Sequence, residues 1–154
     1  MNLRKLIWIF PIFWMGVIFY FSHQSGLESA HVSGWMTRIV DSIAHIFNIN
    51  TSEVDLHLLV RKGAHLTEFA ILGILLFVAL YFTRRRLLSS SIIAFIIGAA
   101  YGVLDEVHQY YIPGRSCQIS DMMIDDSGVL LAVLLCSLNF VLRRFSILLR
   151  GRNL

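Results

Sequence analysis

The run Asp105-Glu106-Val107-His108-Gln109 packs two carboxylates, an imidazole and an amide into five residues. In a helix, Asp105, His108 and Gln109 share one face, because side chains three and four apart lie over one another. Two further segments carry similar groups. Lys62, His65 and Glu68 are spaced three apart, and Asp121, Asp125 and Gly128 fall at i, i+4 and i+7. Each set forms a stripe on a helix. Ser22-His23-Gln24-Ser25 adds hydroxyls, an imidazole and an amide. Imidazoles beside carboxylates are the groups of general acid–base and nucleophilic catalysis. Arg115 and Lys62 are cations able to hold an anion beside them. His65, Glu68, Asp105, His108, Asp121 and Asp125 also supply enough nitrogen and oxygen donors for magnesium, manganese or zinc, although no familiar metal signature links them. The counter-charge to so many carboxylates is thus a divalent cation or, with no cofactor, Arg115, Lys62 or a protonated histidine.

The elements that must position these residues are apolar runs. Of 154 residues, 56% are hydrophobic and 15% charged, with a mean hydropathy of +0.69. A soluble domain carries about a quarter charged residues, since its surface faces water. The runs predict spans over 5–22, 64–82, 87–110 and 121–142. At about 1.5 Å per residue each crosses most of a hydrocarbon core of roughly 30 Å. The expected fold is all-α: an integral membrane bundle of about four transmembrane helices in one domain over 1–154. The first run begins with Arg4 and Lys5, but it outlasts a signal-peptide core and no small-x-small site follows, so it reads as a retained helix.

A net charge of +3 and a pI near 9.1 are accounted for by topology, without a nucleic-acid partner. Arg4, Lys5, Arg84, Arg85, Arg86, Arg143, Arg144, Arg150 and Arg152 all fall in alternate connections, leaving Arg38, Arg61, Lys62 and Arg115 opposite. The positive-inside rule then places both termini in the cytoplasm. The outer loop 23–61 is too long to be structureless. Val32, Trp35, Ile39, Ile43 and Ile46 recur in it at helical spacing, as in an amphipathic helix at the membrane interface or one packed on the spans. Asn48–Ser52 offers a break and caps for a helix running from Glu53 into the second span, and Ser120 a cap for the fourth. Cys117 and Cys136 lie about 28 Å apart along a continuous helix, which leaves two free thiols.

On this topology all four spans carry their polar residues at the outer end, while the inner halves are almost purely apolar. Ionisable groups at membrane depth are costly, face the protein interior and are functional by default. Taken singly, several have plainer roles. His65 can be a packing histidine, Lys62 or Arg61 a snorkelling cation, and Asp126 a cap. Gly102 and Gly128 allow close helix approach, Tyr110 and Tyr111 fit an interfacial belt, and His23, His31, His45 and His57 read as surface residues. The Asp105–Gln109 run with Asp121 and Asp125 resists such treatment, because buried carboxylates require compensation.

Phe21-Ser22-His23-Gln24-Ser25-Gly26, Arg61-Lys62-Gly63-Ala64-His65-Leu66-Thr67-Glu68-Phe69, Asp105-Glu106-Val107-His108-Gln109, Pro113-Gly114-Arg115 and Asp121-x-x-x-Asp125-x-x-Gly128 together resemble the VanZ-like family. Asp125 stands where that family often has asparagine, and the outer loop is long. The resemblance implies a small multi-pass protein of the bacterial cytoplasmic membrane, related to a protein linked to resistance against the lipoglycopeptide teicoplanin. The family is also grouped with membrane enzymes that exchange or hydrolyse phosphate-bearing lipid headgroups.

That grouping leads to an expected function at the outward-facing cluster, with membrane lipids as partners. Lys62 and Arg115 would bind a phosphate, with Ser22, Gln24, Gln109 and Asp125 as further contacts. His65 or His108 would act as base or nucleophile, Asp105 or Glu106 would orient it, and Glu68 or Asp121 would protonate the leaving group. The alternative is a lipid- or glycopeptide-binding protein without chemistry. Proton-linked transport is disfavoured by the apolar inner halves of the spans. Nothing in the sequence fixes the oligomeric state.

Overall fold

Pro11 lacks an N–H, and its ring clashes with the carbonyl four residues back, at Ile7. In the computed structural model, which describes residues 3–52 and 54–150, the first apolar run is accordingly broken there. A short α1 (Leu3–Leu6) turns through Ile7 and Trp8 into α2 (Ile9–Ser22). The chain continues through α3 (Gly26–Ile46), α4 (Leu56–Arg84), α5 (Leu87–Tyr110) and α6 (Ile119–Arg150). Helices account for all regular structure among the described residues. Among the described residues, four stretches are long and apolar enough to cross a membrane: Arg4–Ser22, Leu56–Arg84, Leu87–Tyr110 and Ile119–Ile147. Glu53 and Arg152, which entered the sequence reading, lie outside the described residues.

The core is narrow and built from one face of each span. Phe69, Leu72, Leu76 and Leu80 of α4 pack with Ile18 of α2, Ala94 of α5, and Val129 and Val133 of α6. The other faces are apolar and exposed, among them Phe10 and Phe13 of α2, Ile92 and Ile96 of α5, and Leu131, Leu134 and Leu138 of α6. Lipid tails are as apolar as leucine, so such a surface belongs in a bilayer, where association rests on close packing. Gly128 shows how close. A Cβ added there would stand 2.4 Å from the Leu66 carbonyl oxygen, so α6 can lie against α4 only with glycine at this point. These two helices share the most extensive contact in the bundle.

Three boundaries bear on the sequence expectations. The helix expected to run from Glu53 into the second span starts at Leu56, because Asp55 caps it by accepting from the Leu58 N–H at 3.0 Å. The Asn48–Ser52 segment instead closes α3. Asn48 has a φ of 56°, and the bonds from Asn48 N–H to His45 O and Ile49 N–H to Ala44 O form a Schellman motif. Ser120 lies inside α6, whose first turn hangs from the Gln118 carbonyl, the acceptor for the Asp121 and Met122 N–H groups.

α3 starts on a complete capping box: the Ser25 hydroxyl accepts from the Glu28 N–H, and the Glu28 carboxylate accepts from the Ser25 N–H. It packs on α4 and buries Thr37 and Ala44, whereas Val32, Trp35, Ile39, Ile43 and Ile46 are all exposed. Its apolar stripe therefore does not pack on the spans, and of the two arrangements considered the interfacial one fits.

Candidate functional site

The ends of α2 and α5 and the starts of α3, α4 and α6 meet at one end of the bundle. Gly26 and Gly114 lock this end together: the Gly26 N–H donates to the Pro113 carbonyl at 3.0 Å, and a Cβ on Gly26 would overlap the Gly114 carbonyl. Gly114 has a φ of 76°, which glycine adopts without strain. The turn between α5 and α6 is thereby held over the start of α3, and Arg115 is carried inward, where its Nη1 donates to Ser29 Oγ at 2.8 Å.

Beneath this turn lies a cavity of about 90 Å³, far smaller than the roughly 300–1,000 Å³ of a drug-sized ligand site. It has room for a fragment of a headgroup. Ser22, Gln24, Arg61, His65, Glu68, Asp105, Gln109 and Arg115 supply its polar wall, and Ile18, Phe21, Val32 and Ala64 the apolar part. Burial, then the neighbouring Arg61 guanidinium, lowers the proton affinity of Arg115. An arginine nonetheless stays charged in proteins, so two guanidinium groups face one small space.

Behind this wall the carboxylates are individually tied. Arg61 Nη2 meets Asp121 Oδ2 at 2.6 Å, and His65 Nδ1 meets Asp125 Oδ1 at 3.1 Å. Gln109 Nε2 donates to Asp105 Oδ2 at 2.8 Å. The Gln118 N–H donates to Glu106 Oε2, also at 2.8 Å. Asp105, Glu106, Asp121 and Asp125 are all buried. Gly102 makes room for one of them, since a Cβ there would press on Asp125 Cβ at 3.2 Å. An ionised carboxylate only accepts hydrogen bonds, so opposite an ionised Asp125 the facing His65 nitrogen, Nδ1, is the donor. His65, Asp105, Glu106 and Asp125 each offer a donor atom, all within 4.8 Å of one another.

Not every sequence candidate arrives here. Lys62 does not line the cavity; its neighbour Arg61 does, and Arg61 also takes the ion pair with Asp121. His108 is turned away from the cavity. Its Nε2 lies 3.2 Å from His23 Nδ1, and its ring stands 4.6 Å from that of Phe19. His23, read as a surface histidine, is thus the partner of His108, although it remains exposed. Glu106 and Asp121 sit behind the wall without lining the cavity. Sequence reasoning missed Arg61, Ser29 and Gln118 as site residues. A signal for Arg61 was present: Arg61, His65 and Glu68 repeat the i, i+4, i+7 spacing of Asp121, Asp125 and Gly128.

The profile of the VanZ/LLP1 family matches residues 7–142, which contain every residue of the cavity wall. The chain belongs to the VanZ/LLP1 family. Among curated proteins and among solved structures, no match is found. Membership in this family, with four helices fit to cross a membrane, makes the chain a VanZ-like membrane protein, and its motif residues are those gathered at one end of the bundle.

Proposed function

We propose that this protein is a bacterial membrane enzyme that hydrolyses or transfers phosphate-bearing lipid headgroups at the outer face of the cytoplasmic membrane, in the service of cell-envelope upkeep or lipoglycopeptide resistance. The observation that carries this reading is the shared cavity: two guanidinium groups, Arg61 and Arg115, face the same small space as His65, Glu68 and Asp105. Guanidinium forks match phosphate oxygens, and a fixed pair of them stabilises charge on phosphorus in the transition state. His65, oriented by Asp125, serves as base or nucleophile. Glu68 protonates the leaving group. Gln109 holds Asp105, while Ser22 and Gln24 complete the contacts to substrate.

The positive-inside rule supports an outward-facing site. Arg84, Arg85 and Arg86 cluster at the opposite end of the spans, and both termini would then be cytoplasmic. A lipid phosphate at the outer interface lies level with the cavity, and its acyl chains run beside the exposed apolar faces of the spans. We treat residues 1–154 as one VanZ-like domain.

The test is lipid mass spectrometry on protein in nanodiscs, incubated with bacterial phospholipids and polyprenyl phosphates. Headgroup loss or exchange is expected for the wild type and not for well-folded Glu68→Gln or His65→Gln variants. Turnover retained in both variants would remove the catalytic assignment. If the wild type gives no turnover but retains one lipid class that Arg115→Ala loses, the protein is a lipid-binding protein without chemistry.

A further inference from the structure

Five carboxylates, Glu68, Asp105, Glu106, Asp121 and Asp125, gather around two guanidinium groups, Arg61 and Arg115. Arg61 is committed to Asp121. Asp105 and Glu106 are left with neutral donors, a glutamine amide and a backbone N–H, and Asp125 with an imidazole. Each of these satisfies one oxygen. Glu106 and Asp125 are fully buried, and their second oxygens, Glu106 Oε1 and Asp125 Oδ2, have no hydrogen-bond partner. Buried ionised carboxylates need a compensating charge, and buried polar atoms without partners require a reason of their own.

A metal ion supplies both. Donor atoms on opposite sides of an ion bound at about 2.0–2.2 Å stand roughly 4.0–4.4 Å apart. Adjacent donors stand closer than this, so four donors within 4.8 Å of one another converge on one ion once side-chain rotations draw them about an ångström or more together. The donor set, one imidazole and three carboxylates without a thiolate, suits a borderline divalent ion such as manganese, iron or zinc. Calcium prefers an all-oxygen set and magnesium keeps much of its water. The Gln109 and Gln118 hydrogen bonds to Asp105 and Glu106 are the kind of outer contact that orients ligands in metal sites.

We propose that His65, Asp105, Glu106 and Asp125 form a binding site for one divalent transition-metal ion. Of the six donors the sequence offered, Glu68, His108 and Asp121 are not in it, and Glu106, which the sequence reading had assigned to orienting a histidine, is. The site requires no lipid, and an ion on His65 would occupy the ring nitrogen that the lipid reading uses as base or nucleophile. It would also add positive charge beside a phosphate that otherwise faces an excess of carboxylates.

The test uses full-length protein in nanodiscs without added substrate, stripped with chelator and dialysed against manganese or zinc chloride. About one ion per chain is expected by elemental analysis, with loss of the free aqueous manganese signal in electron paramagnetic resonance. Glu106→Gln and Asp125→Asn should weaken binding tenfold or more. Asp126→Asn, a neighbouring carboxylate outside the cluster, should not. A folded wild type that takes up neither ion overturns the proposal even if the variants misfold. Equal uptake by wild type and both cluster variants also overturns it. Because no lipid enters the measurement, metal binding without turnover would count against the lipid reading alone, and turnover by a protein that takes up neither ion against the metal site alone.

Discussion

His65 Nδ1 and Asp125 Oδ1 stand 3.1 Å apart, two buried side chains separated by 60 residues of chain. Arg61 and Asp121, one helical turn earlier on the same two helices, repeat that separation at 2.6 Å. α4 and α6 both start at the site end and run parallel, so a residue and its counterpart 60 positions on keep the same level through both rungs. One turn deeper, Gly128 removes the side chain that would hold the helices apart. The two rungs therefore fix the relative rotation of α4 and α6, and with it the directions in which the acid, base and cationic groups point.

The outer rung has a measurable coupling. Asp121 is almost fully buried while Arg61 is 36% exposed. Arg61→Ala should cost about 2–3 kcal/mol, under the roughly 3–5 kcal/mol of breaking a fully buried pair, because water can reach part of the site. Asp121→Asn in the Arg61→Ala background should recover part of the loss, with an interaction energy of about 1–3 kcal/mol in a double-mutant cycle followed by denaturant unfolding in mixed micelles. Strict additivity would mean that the pair does not form in the membrane.

Glycine substitutions should separate close packing from mere helix propensity. Gly128→Ala drives a methyl group towards the Leu66 carbonyl at 2.4 Å and should destabilise by about 1–3 kcal/mol through forced separation of α4 and α6. Gly63 is on the same helix as Leu66 and meets nothing within 4 Å. Gly63→Ala should be neutral or stabilise by up to about 1 kcal/mol, the difference in helix propensity. Thermal unfolding of the two variants in one detergent checks the order, and a Gly128→Ala protein as stable as wild type would contradict the packing described.

The start of α3 should respond to pH. Hydrogen bonds from the Ser25 N–H and hydroxyl hold the Glu28 carboxyl below the usual carboxylate range. A depressed folded-state value means that the stabilisation is fully present above the ordinary glutamate range and is lost as pH falls through the lower, folded value. The Ser25 and Glu28 amide resonances should therefore stay fixed from neutral pH down through the normal titration of glutamate and move only below it. In Glu28→Gln that acid transition should vanish. Movement at the ordinary glutamate value in the wild type would show that the capping box is open.

Membrane orientation has its own test in Cys117, which is exposed on the turn over the cavity, and Cys136, which is half-buried within α6. With the site facing outward, a membrane-impermeant maleimide added to intact cells should label Cys117 in a Cys136→Ser background and leave Cys136 untouched in a Cys117→Ser background. Labelling of Cys117 only after the membrane is opened would invert the proposed topology.

The sequence by itself determined the helices and the end at which their polar groups collect. Apolar runs of spanning length have no other stable form in lipid, where every backbone group must be bonded within its own helix. The third helix, Leu87–Tyr110, lies between Arg86 and the Ile112-Pro113-Gly114-Arg115 turn, both of which are visible in the sequence. The Asp-Glu-x-His-Gln, Pro-Gly-Arg and Asp-x-x-x-Asp motifs were legible too, and with them the family. Which side chains meet was not. Periodicity gives the angle of a residue about its own helix axis, but the rotation of one helix against another depends on the fit between them. Lys62 and Arg61 differ by one position, a turn of about 100°, and the contact at Gly128 selects Arg61. The same rotation sends His108 to His23 and brings Glu106 into the cluster. The exposure of the α3 apolar stripe was likewise decided in three dimensions, since its spacing is the same whether it meets lipid or protein.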